Sequence, residues 1–403
     1  MQESYIFDGI RTPFGRYGGI LAHMRPDDMI ASTIAELVNR NPQIIDQIED
    51  VIIGDSNQAG EDSRNIARNA LLIADLPVKT AGITINRLCG SGLSAAMLAA
   101  NNIKCEEGDL MLAGGVESMT RAPLILAKSE SAFSRSAPIA DSTIGWRFPN
   151  EKLISQYGSN SMPETAENIA KELTISREES DLYAFETQLR YEKARKSGFY
   201  TDEIMKIEAP SGNRKQPFIF VSDDEHPRPD TSLEKLSKLR SLHPNGIVTA
   251  GNASGVNDGA AALLIGNEKA ATGLNLKPMA KIITSAVAGV EPRLMGLGPV
   301  PANRKVLQRA GLTLDDMDLI EINEAFAVQV LGCLKELKLP FDDARVNPNG
   351  GAIAIGHPLG ASGARLLLTA SRELQRRKGK YALVSLCIGI GQGIATIIEN
   401  PNY

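Results

Sequence analysis

Four segments of this chain carry residue types suited to covalent chemistry, and each lies where the backbone must turn sharply. Cys89 sits in Asn86-Arg87-Leu88-Cys89-Gly90-Ser91-Gly92, between a strand signal at Ile83-Thr84-Ile85 and an Ala-rich helix signal over 91–103. The two glycines permit the turn, and the helix start would turn free N–H groups and a positive dipole end toward the sulfur. That position is expected to lower the thiol pKa and leave an accessible thiolate nucleophile. The same N–H groups could stabilise an oxyanion on an attached thioester. A buried structural cysteine is the plainer reading, and it is the expectation for Cys105 and Cys333, which fall on apolar helix faces.

His357 lies in a glycine-rich run, Asn349-Gly350-Gly351-Ala352-Ile353-Ala354-Ile355-Gly356-His357-Pro358-Leu359-Gly360-Ala361-Ser362-Gly363. So many glycines mean close backbone approach, to a ligand or simply to another loop, and the residues alone leave both open. Cys387 ends an apolar strand and enters Gly389-Ile390-Gly391-Gln392-Gly393. A dinucleotide fingerprint would need a helix next, but Ile394-Ala395-Thr396-Ile397-Ile398 reads as strand. A thiol beside glycine-exposed N–H groups suits proton transfer or anion stabilisation instead. Asn323, in Asn323-Glu324-Ala325-Phe326, is either a fixed dipole that positions water or a helix N-cap. Gly251-Asn252-Ala253-Ser254-Gly255 is a small-residue loop able to admit a ligand, or merely a turn.

The elements around these segments alternate strand and helix. The first third predicts strands at 5–10, 51–53, 83–85 and 110–113, and helices opening at Pro26, passing through Ile66 and Ala70, and over 91–103. The last third repeats this grammar, with strands at 260–265, 282–287, 319–322, 382–386 and 394–398, and helices over 301–310 and 362–375. Between them, 122–252 is more polar and loop-rich. It holds a helix opening at Pro163 and another behind a capping box from Ser176 to Glu179. Such a stretch reads as an excursion over a functional surface. The turn at 90–92 resembles that at 361–363. From Gly92 to Gly114 is 22 positions and from Gly363 to Cys387 is 24, so an internal duplication is the simplest reading. It would bring the Cys89 and His357 turns together across a pseudo-two-fold axis.

Composition narrows the class. With 403 residues there is room for two or three domains. Lys and Arg total 43 against 48 Asp and Glu, a net charge of −5, which argues against a dedicated nucleic-acid binder. No apolar run approaches the roughly 18 residues of a membrane helix. Residues 1–15 carry no targeting pattern, so the expected location is cytoplasmic. Four cysteines, none spaced C-x-x-C, and four histidines leave no visible metal site and no disulfide framework.

Taken together, the segments at 86–92, 114–119, 251–255, 323–326, 350–363 and 387–393 resemble the thiolase family in order and spacing, over almost the whole chain. The resemblance implies two similar mixed-sheet α/β halves in a five-layered αβαβα arrangement plus a loop domain. The boundaries would be 1–121, completed by about 253–277, for the first half; 122–252 for the loop domain covering coenzyme A; and 278–403 for the second half. It implies a homodimer or homotetramer that takes coenzyme A thioesters as substrates and holds no permanent cofactor. Cys89 would accept the acyl group. His357 would activate it and, with a water held by Asn323, bind a thioester oxygen. Cys387 would exchange a proton with the α-carbon of acetyl-CoA, and the N–H groups of Cys89 and Gly389 would form a second oxyanion hole. Ser254, Met295 and Phe326 would line the pantetheine tunnel, and Arg228 would lie near the nucleotide end.

The segment Ser161-Met162-Pro163-Glu164-Thr165-Ala166 departs from the His-Met-Gly of acetoacetyl-CoA thiolases and resembles 3-oxoadipyl-CoA thiolases of aromatic-compound catabolism. A dicarboxylic substrate needs a cation for its distal carboxylate, and Arg135 and Arg147 are the two expected candidates. The alternative is a general acetyl-CoA C-acetyltransferase or a 3-ketoacyl-CoA thiolase of fatty acid metabolism. A ketoacyl synthase, a Cys-His hydrolase and a non-catalytic lipid carrier compete less well, because none needs both Cys89 and Cys387.

Overall fold

The computed structural model describes residues 2–403. Its main strands hydrogen-bond along one path, in the order Leu319–Ile322, Tyr381–Ile388, Gln392–Glu399, Ala280–Gly289, Tyr5–Arg11, Asn257–Gly266, Leu110–Ser118, Asp50–Gly54 and Ala81–Ile85. The path has a seam. Tyr5–Arg11 meets Ala280–Gly289 only where Tyr5 pairs Lys281 and Ile6 pairs Ala280.

The same arrangement stands on each side of that seam. In the first half Ala81–Ile85, Asp50–Gly54 and Leu110–Ser118 run parallel, followed by antiparallel Asn257–Gly266 and Tyr5–Arg11. In the second, Leu319–Ile322 runs parallel to Tyr381–Ile388, followed by antiparallel Gln392–Glu399 and Ala280–Gly289. A parallel bridge from Ile320 to Val346 occupies the place that Ala81–Ile85 takes in the first half. The duplication read from the spacing is therefore present in the topology.

Helices Ser91–Lys104 and Leu359–Arg376 pack together between the two half-sheets, in a buried cluster that includes Ile52, Leu93, Ala96, Leu263, Leu367 and Leu386. Pro26–Arg40 and Ile66–Ile73 cover the outside of the first half. Pro299–Ala310 and Ala327–Leu337 cover the outside of the second. The layers are helix, sheet, helix, sheet, helix. Glycine is required where the central helices begin. A Cβ on Gly92 would lie 2.4 Å from the Gly360 carbonyl oxygen, and one on Gly363 2.2 Å from the Leu93 nitrogen.

Several expectations are corrected. The strand predicted at 110–113 continues through Gly114 and Gly115 to Ser118, all of it buried. Those glycines extend the strand because neighbouring backbone presses on it; a Cβ on Gly115 would lie 1.9 Å from the Gly360 oxygen. Asn323 is not a helix N-cap, since that place belongs to Phe326, ahead of Ala327–Leu337. Cys105 is exposed rather than buried, because it follows the last turn of Ser91–Lys104.

Within 122–252, the helices Met162–Leu173 and Arg177–Lys196 stand where predicted. The Ser176 capping box closes with Ser176 N donating to Glu179 Oε2 at 2.7 Å and Glu179 N donating to Ser176 Oγ at 3.1 Å. The sequence reading missed helix Glu151–Tyr157 and two hairpins, Leu124–Leu126 with Ile139–Asp141 and Ile207–Asn213 with Gln216–Val221. Their mostly exposed strands bury too little to leave a periodic signal.

Candidate active site

The Cys89 turn is fixed by short local hydrogen bonds. Leu88 adopts φ +47°, and its N–H donates to Asn86 Oδ1 at 2.8 Å. Ser91 Oγ accepts from Arg87 N at 2.8 Å and donates to Leu88 O at 2.7 Å. These bonds hold a branched side chain in the left-handed region, which costs energy outside such a scaffold. Cys89 is partly exposed, and its sulfur faces the N–H of Gly389 and its own N–H. Cys387 is 1% exposed and pairs with Gly393 at the end of Tyr381–Ile388. The two cysteine segments pack on each other: a Cβ on Gly90 would lie 2.6 Å from the Ile388 side chain and one on Gly389 3.2 Å from that of Leu88, and the Gly389 N–H reaches the Cys89 sulfur.

Neither thiol is ionised at rest. Burial pushes Cys89 up to about 11, and the charge of Glu117 adds to that effect, while the Gly389 N–H opposes it. The expected lowering by the helix start does not prevail, because desolvation outweighs it. Burial and the neighbouring thiol Cys89 raise Cys387 well above its usual range.

His357 is 4% exposed. Its Nδ1 lies 2.6 Å from Ser362 Oγ, and that hydroxyl donates its only hydrogen to Pro358 O at 2.8 Å. Nδ1 therefore carries the imidazole hydrogen, and Nε2 is left as the acceptor. Burial, with the charge of Arg365, lowers His357 to about 3, so the ring is neutral. The Nδ2 of Asn323 lies 3.3 Å from Nε2, and the buried Asn323 Oδ1 has no protein partner. His357 N donates to Asn257 Oδ1 at 2.9 Å, and the preceding Gly356, at φ +113°, leaves no room for a Cβ against that same side chain.

The loop behind Asn323 is tied at Glu324. This buried carboxylate accepts from Tyr183 at 3.0 Å, Thr187 at 2.9 Å, Asn347 at 2.9 Å and Ile353 N at 3.2 Å. It thereby joins helix Arg177–Lys196 to the loop that leads into His357. Sequence reasoning assigned no role to Glu324, Asn257 or Ser362. Each stood in or near a glycine-rich segment, but its partner lies in another segment or depends on a turn geometry.

This site belongs to a chain that two family descriptions cover almost completely: "Thiolase, N-terminal domain" over residues 4–269 and "Thiolase, C-terminal domain" over 276–400. The chain belongs to the thiolase family. It is similar to the 3-oxoadipyl-CoA/3-oxo-5,6-dehydrosuberyl-CoA thiolase of Escherichia coli, 58% identical over 99% of this chain and 100% of that protein. It is 55% identical to a beta-ketoadipyl-CoA thiolase of Acinetobacter baylyi over the same shares. Among solved structures, human mitochondrial 3-ketoacyl-CoA thiolase in complex with CoA superposes with a TM-score of 0.90 at 41% identity, covering 99% of this chain and 98% of that one. The Bacillus anthracis acetyl-CoA acetyltransferase gives 0.92 at 38%, covering 99% of each. As a thiolase, the chain is an acyltransferase.

The other residues singled out in this thiolase are placed unequally. Ser254 N donates to Ala325 O at 2.9 Å, and Ala253 bridges Phe326, so the 251–255 loop lies along the Asn323 loop. Phe326 is 7% exposed. Met295 is 2% exposed, in the short helical segment Pro292–Leu297. Arg228 is exposed, and its backbone N–H donates to Gln188 Oε1 at 2.9 Å. Arg135 is exposed in the excursion. Arg147 is half-buried, and its two terminal nitrogens donate to Asn57 O at 3.0 Å and Ser142 O at 2.8 Å. The two arginines are thus in different settings. Among the described residues, no group of three or more His, Cys, Asp or Glu is arranged to hold a metal ion.

Proposed function

We propose that this enzyme cleaves 3-oxoadipyl-CoA with coenzyme A to give succinyl-CoA and acetyl-CoA, through an acyl group carried on Cys89. The observation that carries this reading is the packing of the Cys89 turn from one half against the Cys387–Gly389 strand end from the other, where the Gly389 N–H reaches the Cys89 sulfur. The names of the similar proteins support the substrate.

His357 Nε2 removes the Cys89 proton as the sulfur attacks the 3-keto carbon, so that neither group has to carry charge at rest. The N–H groups of Cys89 and Gly389 receive the oxyanion. The bond between the α-carbon and the keto carbon then breaks, and its electrons pass into the departing acetyl-CoA as an enolate. Protonated His357 and a water held by Asn323 stabilise the enolate oxygen, and Cys387 delivers its proton to the α-carbon. The coenzyme A thiol then loses its proton to Cys387, its sulfur attacks the succinyl carbonyl, and the bond to Cys89 breaks, the departing Cys89 sulfur recovering its proton from His357. Donors of this kind are worth about 3–4 kcal/mol each.

Ser254, Met295 and Phe326 are assigned to the pantetheine, Arg228 to the nucleotide end, and 122–252 to the cover over coenzyme A. Arg147 and Arg135 are the cations assigned to the distal carboxylate. The carbonyls of Asn57 and Ser142 each take one N–H from a terminal nitrogen of Arg147 and hold the guanidinium in place, while its other N–H groups are left to donate. The enzyme is read as a cytoplasmic homodimer or homotetramer. In support, no helix among the described residues is long and apolar enough to cross a membrane. Ala81–Ile85 also ends the strand path with one edge unpaired and Ile83 exposed, and such edges are usually covered.

The test is thiolysis of 3-oxoadipyl-CoA, acetoacetyl-CoA and a longer 3-ketoacyl-CoA. The expected result is the highest kcat/KM on the first, lost selectively on Arg→Ala at the cation that binds its carboxylate. Preference for a longer chain would move the enzyme to fatty acid metabolism.

A further inference from the structure

Glu117 is a buried carboxylate near the end of Leu110–Ser118, 2% exposed, and no role in the reaction has been given to it. Among the described residues no cation pairs with it. One of its oxygens collects three hydrogen bonds instead. Ser56 Oγ donates to Oε2 at 2.7 Å, Ser56 N at 3.2 Å and Gly360 N at 2.9 Å. Gly360 lies three residues beyond His357, in the first turn of Leu359–Arg376, where a negative charge is favoured by the helix dipole.

The contacts continue toward the other thiolase half's catalytic turn. Asn86 Nδ2 donates to Ser56 O at 3.0 Å, and Asn86 Oδ1 accepts from Leu88 N at 2.8 Å, one residue before Cys89. An unbroken chain of hydrogen bonds thus runs from the His357 turn through Glu117, Ser56 and Asn86 to the strained Leu88. Backbone is in close contact along the same line, since a Cβ on Gly360 would lie 2.2 Å from the Val116 oxygen and 2.7 Å from the Gly54 oxygen. The two turns come from segments more than 260 residues apart in sequence and no covalent feature sets their separation.

We propose that Glu117 is a positioning residue for the carbon–carbon cleavage, whose single bridging oxygen sets the placement of the Cys89 turn relative to the His357 turn. The proposal rests on the reading of Cys89 and His357 given above. Loss of the bridge displaces the nucleophile from its base without touching the coenzyme A contacts, and displacements of about 1 Å can cost on the order of 100-fold in rate. Glu117→Gln keeps an oxygen able to accept from Ser56 and Gly360, whereas Glu117→Leu removes it at similar size.

The experiment measures kcat and KM for thiolysis, together with the single-turnover rate of Cys89 acylation by acetyl-CoA, in wild type, E117Q, E117L, N86A and the E117L/N86A double variant. In E117L, kcat and the acylation rate are expected to fall about 100-fold with KM for coenzyme A within about threefold, and E117Q should recover most of the loss. N86A breaks the same chain from its other end, so the double variant should be no slower than the slower of the two single variants. If E117L does not fold, N86A carries the test, with kcat and the acylation rate expected to fall while KM for coenzyme A stays within about threefold and E117Q stays near wild type. A loss confined to Tm, with kcat per folded molecule unchanged, would overturn the proposal, as would additive losses in the double variant. An inactive wild type would instead defeat the underlying reading of the reaction.

Discussion

The two halves of the molecule place a strand-to-helix turn at equivalent positions and use it in opposite ways. In the first half the turn is short, carries Cys89, and leaves the residue partly exposed on a backbone strained at Leu88. In the second, the turn is long and glycine-rich, carries His357, and is buried against Asn257, Ser362 and Asn323. The ends of the equivalent strands Leu110–Ser118 and Tyr381–Ile388 differ as well. One carries the carboxylate of Glu117, which hydrogen-bonds to both Ser56 and Gly360, and the other carries Cys387 on a strand end that packs against the Cys89 turn. A duplicated scaffold supplies two helix starts on one axis, and divergence of the side chains at those starts turns a symmetric structure into an asymmetric site. Symmetry explains why the groups meet; the chemistry lies in where the halves differ.

Replacing the two sulfurs separately should expose that asymmetry most strongly. Cys387→Ala should leave Cys89 able to take an acetyl group from acetyl-CoA, while exchange of the acetyl-CoA α-protons with deuterated water, followed by NMR, falls on the order of 1,000-fold. Equal loss of both activities would mean that the two cysteines do not divide the work.

A smaller effect tests the electrostatics of the first turn. With exposed Cys105 replaced by Ser, the rate of Cys89 alkylation by iodoacetamide should keep rising through pH 10, because burial holds this thiol at about 11. A plateau below pH 8 would show that the helix start, not desolvation, governs the sulfur.

The smallest effect concerns the second turn. His357 is lowered to about 3 in the folded chain against an ordinary 6.5, so the unfolded chain binds the extra proton first. Its stabilising contribution is complete above pH 6.5 and is lost as the pH falls from there toward 3, amounting to about 2 kcal/mol by pH 5. His357→Asn should therefore lose less Tm than wild type between pH 7.5 and 5. Identical losses would place the acid sensitivity elsewhere.

Much of this was legible in the sequence where a local pattern carries its own physics. A cysteine between strand and helix, followed by Gly90 and Gly92, announces a turn, and the capping box at Ser176 announces a helix. The matched spacings from Gly92 and Gly363 announced the duplication. What was not legible depends on partners brought together by the fold. The shift of Cys89 is upward because of burial, which spacing does not encode. The hydrogen on His357 Nδ1 follows from where Ser362 sends its own hydrogen, and that needs the turn's geometry. Glu117 stood in the 114–119 segment, which entered only through the family resemblance and with no role for the acid, and its hydrogen-bond partner Gly360 is 243 residues away. An acid near the end of a wholly buried strand was the available signal.

The central claim is that one sulfur carries the acyl group while the other handles the proton, and mass spectrometry of the protein incubated with acetyl-CoA tests it most directly. The account predicts an acetyl adduct on the peptide bearing Cys89, retained in Cys387→Ala and absent in Cys89→Ala. An adduct on Cys387 instead, or none on Cys89 in an active preparation, would contradict it.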